Sequence, residues 1–218
     1  MSWKEQMKQM LIEIEKNIGS RRVTDRVMWF SMWILLSVAS FGIAWFLMIY
    51  LLIKRRNAHF SRQEKLEALI LSKLRQLNGD KQLHCNDAMN LTKKIDPICF
   101  RDAPVWALST ILVVPVFYVL YFLSMDLQKH EEHETEFLME TISLTKDLGF
   151  SMDLKGFTVT KKFAFDRYLI ISIITCGFAA VYWLYRIFND YNRHFKRQWK
   201  LEDELLMFFK SADRSEAR

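Results

Sequence analysis

Apolar and polar positions fall in long blocks along this chain. Val27–Ile53 holds 27 residues without a charge, Ala103–Met125 holds 23, and Tyr168–Tyr185 holds 18 before Arg186. A helix needs about 20 predominantly apolar residues to cross roughly 30 Å of hydrocarbon. The blocks therefore predict three transmembrane helices, 27–53, 103–125 and 168–188, the third requiring Arg186 to reach back to the interface. Trp29, Trp33, Tyr50, Trp106, Tyr121, Tyr168 and Tyr185 lie near the block ends, where amphipathic rings anchor. Between Arg21 and Leu77 there is no proline and Gly42 is the one glycine. The first span is thus expected to run on as one helix, projecting on the order of 35 Å to Asn78-Gly79. Leu66, Leu69, Ile70, Leu74 and Leu77 give that projection an apolar stripe, to be covered by the projection of span three or by another subunit. Span two is expected to kink at Pro115 and continue to Leu148, and span three to continue to about Lys210.

The blocks are copies of one another. Asn57–Glu67 (N-A-H-F-S-R-Q-E-K-L-E) returns 135 residues later as Asn192–Glu202 (N-R-H-F-K-R-Q-W-K-L-E), identical at eight of eleven positions. The register holds backwards through Tyr50 and Tyr185, Ala44 and Ala179, and Gly42 and Gly177. A fainter middle copy matches Tyr118, Leu120, Tyr121, Asp126 and His130 to Tyr182, Leu184, Tyr185, Asp190 and His194, with Gln128-Lys129 in place of Asn192-Arg193. The repeat divides the chain into an N-terminal amphipathic helix (1–20), repeat 1 (21–79), a loop with repeat 2 (80–149) and a connector with repeat 3 (150–218). Trp3, Met7, Met10, Leu11, Ile14 and Ile18 recur at helical spacing in the first of these, for packing on the membrane surface or on neighbouring helices. Phe157-Thr-Val-Thr suggests a turn or small hairpin in the connector. The fold class expected is an all-α membrane protein of three transmembrane helices with long amphipathic extensions, internally repeated, the middle copy inverted relative to the other two.

Charge adds an orientation. Lys54–Ala103 carries 11 Lys/Arg and the tail from Arg186 carries 8, whereas Met125–Asp166 carries 5 with 9 acidic residues. Basic loops favour the cytoplasm, so the expectation is a multi-pass protein of the cell membrane with its N-terminus outside and C-terminus cytoplasmic. The basic segments next to spans suit anionic lipid and give no reason to expect nucleic acid. Cys85, Cys99 and Cys176 have no zinc spacing and read as free thiols, and the adjacent pair His84-Cys85 is a poor metal site.

Two constellations carry candidate chemistry. On a helix, His59, Arg62, Gln63 and Leu66 share one face, as do His194, Arg197, Gln198 and Leu201. With Asn57 and Asn192 they form a candidate interaction or lipid-headgroup face, on which Arg62 or Arg197 would meet Glu202 or Glu67. Packing chemistry alone explains the same pattern. His130 and His133, with Glu134 beside them, are weak metal candidates, because H-E-E-H departs from both H-E-x-x-H and H-x-x-E-H. A solvated acidic helix explains them as well. No glycine-rich phosphate loop, nucleophile elbow or triad is visible, and no charge lies inside a span, so neither enzymatic catalysis nor active transport is expected, and no cofactor.

The run Ser172–Arg186 (S-I-I-T-C-G-F-A-A-V-Y-W-L-Y-R), followed by Asn189-Asp190 and Asn192, resembles an uncharacterised family of small prokaryotic membrane domains. In that family a glycine-centred helix ends in a Y-W-L-Y-K/R exit and an N- or D-rich turn, often in tandem. Val113–His130 and Gly42–His59 follow the pattern more loosely, with Val119 and Met48 at the position of Trp183. The resemblance implies architecture and brings no catalytic residues. The function expected is a non-enzymatic membrane scaffold or interaction subunit in the lipid bilayer, partnered by itself or another membrane protein through its helical tails. The alternatives are an insertase similar to the YidC type, whose hydrophilic groove is not visible here, and a small pore or metal-binding membrane protein.

Overall fold

The computed structural model describes residues 3–78, 100–147 and 163–216. All regular structure among them is helical, as the block pattern requires. The helices are α1 (Trp3–Gly19), α2 (Arg21–Thr24), α3 (Phe30–Ala39), α4 (Ile43–Asn78), α5 (Ala103–Ser109), α6 (Val113–Asp147), α7 (Phe165–Ile174) and α8 (Phe178–Glu216). The expectations for His84-Cys85, Cys99 and the connector hairpin fall outside the described residues.

The three apolar blocks are not three helices. Each breaks into a short helix and a long one, and none of the described helices is long and apolar enough to cross a membrane. The breaks are local backbone chemistry. After α3, Phe41 (φ 51°) and Gly42 (φ 92°) both take left-handed conformations; after α7, Cys176 (φ 49°) and Gly177 (φ 93°) repeat them. The Gly42 N–H donates to Ser37 O at 2.8 Å and Phe41 N–H to Val38 O at 3.2 Å, while Gly177 and Cys176 donate to Ser172 O (2.7 Å) and Ile173 O (3.1 Å). These paired bonds form the Schellman arrangement that stops a helix. The next helix is then capped, because Ser40 Oγ accepts from the Ala44 N–H at 2.8 Å and Thr175 Oγ1 from the Ala179 N–H at 3.0 Å. The middle unit turns at 110–112 without a glycine. Pro115 is no kink: it lies in the first turn of α6, where a missing N–H costs nothing.

Because every unit reverses, all three long helices run the same way. Contacts climb α4, α6 and α8 in step: Trp45 Nε1 donates to Thr110 at the turns, Arg56 pairs with Asp126 at 2.8 Å, and Lys73 pairs with Asp213 near the far ends. The middle copy is therefore parallel to the other two, which corrects the inverted arrangement. A ring of clamps closes the three units. Asn57 Nδ2 donates to Arg101 O (2.7 Å) ahead of α5, Gln128 Oε1 accepts from Phe163 N–H (2.8 Å) ahead of α7, and Asn192 Nδ2 donates to Met28 O (2.7 Å) ahead of α3. Each long helix thus holds the approach to the next short one, and the third returns to the first.

Two apolar cores stack along the bundle. Near the turns Met48, Leu52, Leu123, Trp183, Phe188 and Phe195 pack together. Farther along, Leu66, Ile70, Leu74, Leu201, Leu205 and Phe209 close over Phe137 and Leu138. Ile14 and Ile18 of α1 belong to this second core. The stripe expected to need a partner is thus covered within the chain, by α8 and by α1. Gly42→Ala and Gly177→Ala are each expected to cost about 1–2 kcal/mol through their positive φ, since nothing lies within 4 Å of an added Cβ. Unfolding in mild detergent measures this, and unchanged stability would contradict the left-handed turns.

Candidate functional site: a buried histidine layer

Between the two apolar cores lies a polar layer that the repeat builds. His59, His130 and His194 are the equivalent residues of the three copies, and parallel helices bring them to one height. All three are buried, with relative exposures of 0 %, 7 % and 0 %. One ring nitrogen from each falls within 4.8 Å of the others, the one such group among the described residues. His59 Nε2 lies 3.0 Å from His194 Nε2. His130 stacks on Phe60, ring centroids 4.2 Å apart, and its Nε2 has no hydrogen-bond partner.

The outer nitrogens face carboxylates. His59 Nδ1 is 2.9 Å from Asp25 Oδ1, and His194 Nδ1 is 3.2 Å from Glu131 Oε1. Asp25 is itself held by Arg62 at 2.8 Å and by the Trp199 Nε1–H at 3.0 Å. Arg62 continues to Glu202 at 2.7 Å, and Arg197 caps Glu131 at 2.7 Å. Despite its burial, Asp25 is held well below the usual carboxylate range by His59 and Arg62. Burial disfavours the charged imidazolium, so His59 falls to about 4 and His130 and His194 fall in the same direction.

One turn along, the next layer is also polar. Gln63, Glu134 and Gln198 occupy the positions four residues after the three histidines, and all are buried. Gln63 Oε1, both Glu134 carboxyl oxygens and both ends of the Gln198 amide have no hydrogen-bond partner. Burial raises the Glu134 carboxyl well above its usual range, with Glu67 adding to the shift. Glu202 is raised to about 7, burial outweighing its contact with Arg62.

The sequence face of His59, Arg62 and Gln63 with His194, Arg197 and Gln198 does come together, and Arg62 meets Glu202 as expected. The face points inward, however, with His59, Arg62, Gln63, His194 and Gln198 buried within the chain, while Asn57, Asn192 and Arg197 stay half-buried. Asn57 and Asn192 are the clamps. Of the weak metal candidates, His130 joins the layer, Glu134 lies beside it, and His133 is drawn away to Glu67 at 3.1 Å. Asp25 escaped the sequence reading because it sits in the irregular segment between α2 and α3, where no periodicity marks it.

No protein-family model matches the chain, and comparison with curated proteins and with solved structures finds no match either. The geometry alone carries the functional reading.

Glu202 offers a pH test of the buried network. A carboxyl whose folded pKa is raised contributes stability that is present below the unfolded value of 4.5 and is lost as pH rises through about 7. Glu202→Gln removes that titration. The stability of Glu202→Gln minus wild type is expected to rise between pH 5 and pH 8 by on the order of 3 kcal/mol, read from denaturant midpoints. A difference independent of pH would contradict the burial of this carboxyl.

Proposed function

We propose that this chain is a non-enzymatic membrane-anchored bundle, held in a single leaflet by its three apolar hairpins and presenting its polar-cored helices on one side of the bilayer. The carrying observation is where the exposed apolar side chains lie. Leu35, Val38, Phe41 and Ile43 around the first turn, Leu108, Ile111, Val113 and Val114 around the second, and Ile173, Ile174 and Phe178 around the third are all 65–98 % exposed. Because the units are parallel, these turns share one end of the bundle. Soluble surfaces rarely keep apolar patches of this extent.

The dimensions favour half a bilayer. The ten residues of α3 or α7 span about 15 Å, half of the roughly 30 Å hydrocarbon core, and then the chain turns back. At the base of the hairpins a cleft of ≈ 790 Å³ is lined by Trp29, Tyr185, Arg193, Lys196 and Lys200 among others, an aromatic and basic setting suited to headgroups. Helix α1 packs against the tails of α4 and α8, with Lys210 pairing with Glu15 at 2.5 Å, which supports placing both termini on one side. This reading replaces the multi-pass topology with opposed termini. It also removes the motive for self-association, since the tail stripe is already covered.

A second reading keeps one supporting observation. A cleft of ≈ 410 Å³ beside the third hairpin carries the charged residues Glu131, Arg167, Arg186 and Asp190 among mostly apolar and aromatic side chains, the kind of charges an insertase groove would need. Crosslinking to ribosome-bound nascent chains tests it, and absence of a crosslink from Arg167→Cys would exclude it.

Single cysteines in place of Glu5, Ser143 and Ser211, in a cysteine-free background in sealed vesicles, test the anchoring. All three are expected to react with an impermeant maleimide from the same side, while a cysteine at 176 reacts only after detergent is added. Labelling of Ser143→Cys from the side opposite to Glu5→Cys would show that the middle block crosses the membrane and would end the one-leaflet reading.

A further inference from the structure

We propose that His59, His130 and His194 bind one divalent transition-metal ion on the axis of the bundle. Carboxylates fix the protons on two of the three rings. His59 Nδ1 faces Asp25 and His194 Nδ1 faces Glu131. An imidazole nitrogen against a carboxylate carries the hydrogen and donates it. Each neutral ring then has only a lone pair left on Nε2, and these two lone pairs point at each other across 3.0 Å. Two lone pairs at that distance repel unless a positive charge lies between them. A proton shared between them would satisfy that one pair and leave His130 Nε2 unanswered. A metal ion accepts lone pairs from several donors at once.

The third donor is in place. His130 Nε2 is buried, has no partner, and belongs to the same cluster. A metal–nitrogen bond of about 2.0–2.1 Å in tetrahedral geometry sets ligand nitrogens about 3.3 Å apart. The observed spread, from 3.0 Å to within 4.8 Å, needs only small side-chain adjustments to reach it. Three imidazoles suit zinc, copper, nickel or iron over calcium or magnesium. Carboxylates behind two of the three rings are the supports that fix tautomer and orientation in metal sites.

The surroundings are polar as well. Arg62 and Arg197 offset Asp25 and Glu131. Glu134 makes no hydrogen bond, and its carboxyl is 4.0 Å from His194 Nδ1. Gln63 Oε1 and both ends of the Gln198 amide are also unpaired one turn away, so unsatisfied acceptors and a donor lie beside the three rings. The site differs from the H-E-E-H motif, since it takes only His130 from that run and leaves His133 to Glu67.

The test uses the metal-free full chain in lipid nanodiscs, titrated with Zn²⁺ alone against a chromophoric chelator. Wild type is expected to bind one ion per chain more tightly than about 1 μM. Asp25→Asn is expected to weaken binding about 10–100-fold, and His130→Asn by more than that, whereas His133→Asn leaves it unchanged. X-ray absorption of the zinc-loaded wild type, which needs no folded variant, is expected to show imidazole scattering from three rings. Wild type that binds no zinc at 10-fold excess over about 1 μM, an absorption spectrum without imidazole, or equal losses in His133→Asn and His130→Asn would each overturn the proposal.

Discussion

A chain reversal inside each apolar block is the constraint on which the rest depends. Two successive left-handed residues, Phe41-Gly42 and Cys176-Gly177, end a short helix, and a hydroxyl two residues before each glycine caps the long helix that follows. If the blocks ran straight, the middle unit would point the opposite way and its histidine would lie far from the other two. With the reversals, α4, α6 and α8 are parallel, and equivalent residues of the three copies meet at equal heights. The clamp residues Asn57, Gln128 and Asn192 then close a three-membered ring around an axis. Symmetry written in the sequence becomes symmetry in space only through those turns.

Stacked on that axis are layers of opposite character. An apolar core near the turns, the histidine layer with its carboxylates and guanidiniums, and a second apolar core follow one another. A buried polar layer contributes little net stability compared with hydrophobic residues of similar volume. It does fix register, because sliding one helix by a turn would separate His59 from Asp25 and Arg62 from Glu202 and leave charges buried without partners. The layer's own accounts are nonetheless open: His130 Nε2 and the Glu134 oxygens stay unpaired, whereas structural polar layers close theirs. Those unpaired groups, where the three histidines meet, are why we propose a ligand site there and not a packing device alone.

Much of this was legible in the residues. The repeat, the helical content, the far ends of α4 and α6 near Asn78 and Asp147 and the shared face of His59, Arg62 and Gln63 with its copy all follow from spacing, and Arg62 with Glu202 is one of the pairings that face allows. The reversals did not follow from hydropathy, because an uncharged block of 27 residues accommodates a spanning helix or a hairpin equally well. The local signal was there: Ser40-Phe-Gly and Thr175-Cys-Gly place a capping hydroxyl and a glycine at the same step of both copies. The histidine layer was missed for a related reason. His130 invites pairing with His133, its neighbour on the helix, while its real partners are its equivalents 71 residues before and 64 after it. Asp25 lies in a non-periodic segment, so only tertiary structure reveals it.

The most direct test of the parallel arrangement is a distance between the far ends of two long helices. Spin labels at Ser72 of α4 and Ser143 of α6, both exposed, report it by double electron–electron resonance in nanodiscs. Parallel units place the labels within about 20 Å, roughly two helix diameters. An inverted middle unit would put them on opposite sides of the bilayer, beyond about 60 Å, since each would project on the order of 25 Å past a core of roughly 30 Å. The short distance is the result this account predicts, and the long one would contradict the parallel bundle and, with it, the convergence of the three histidines.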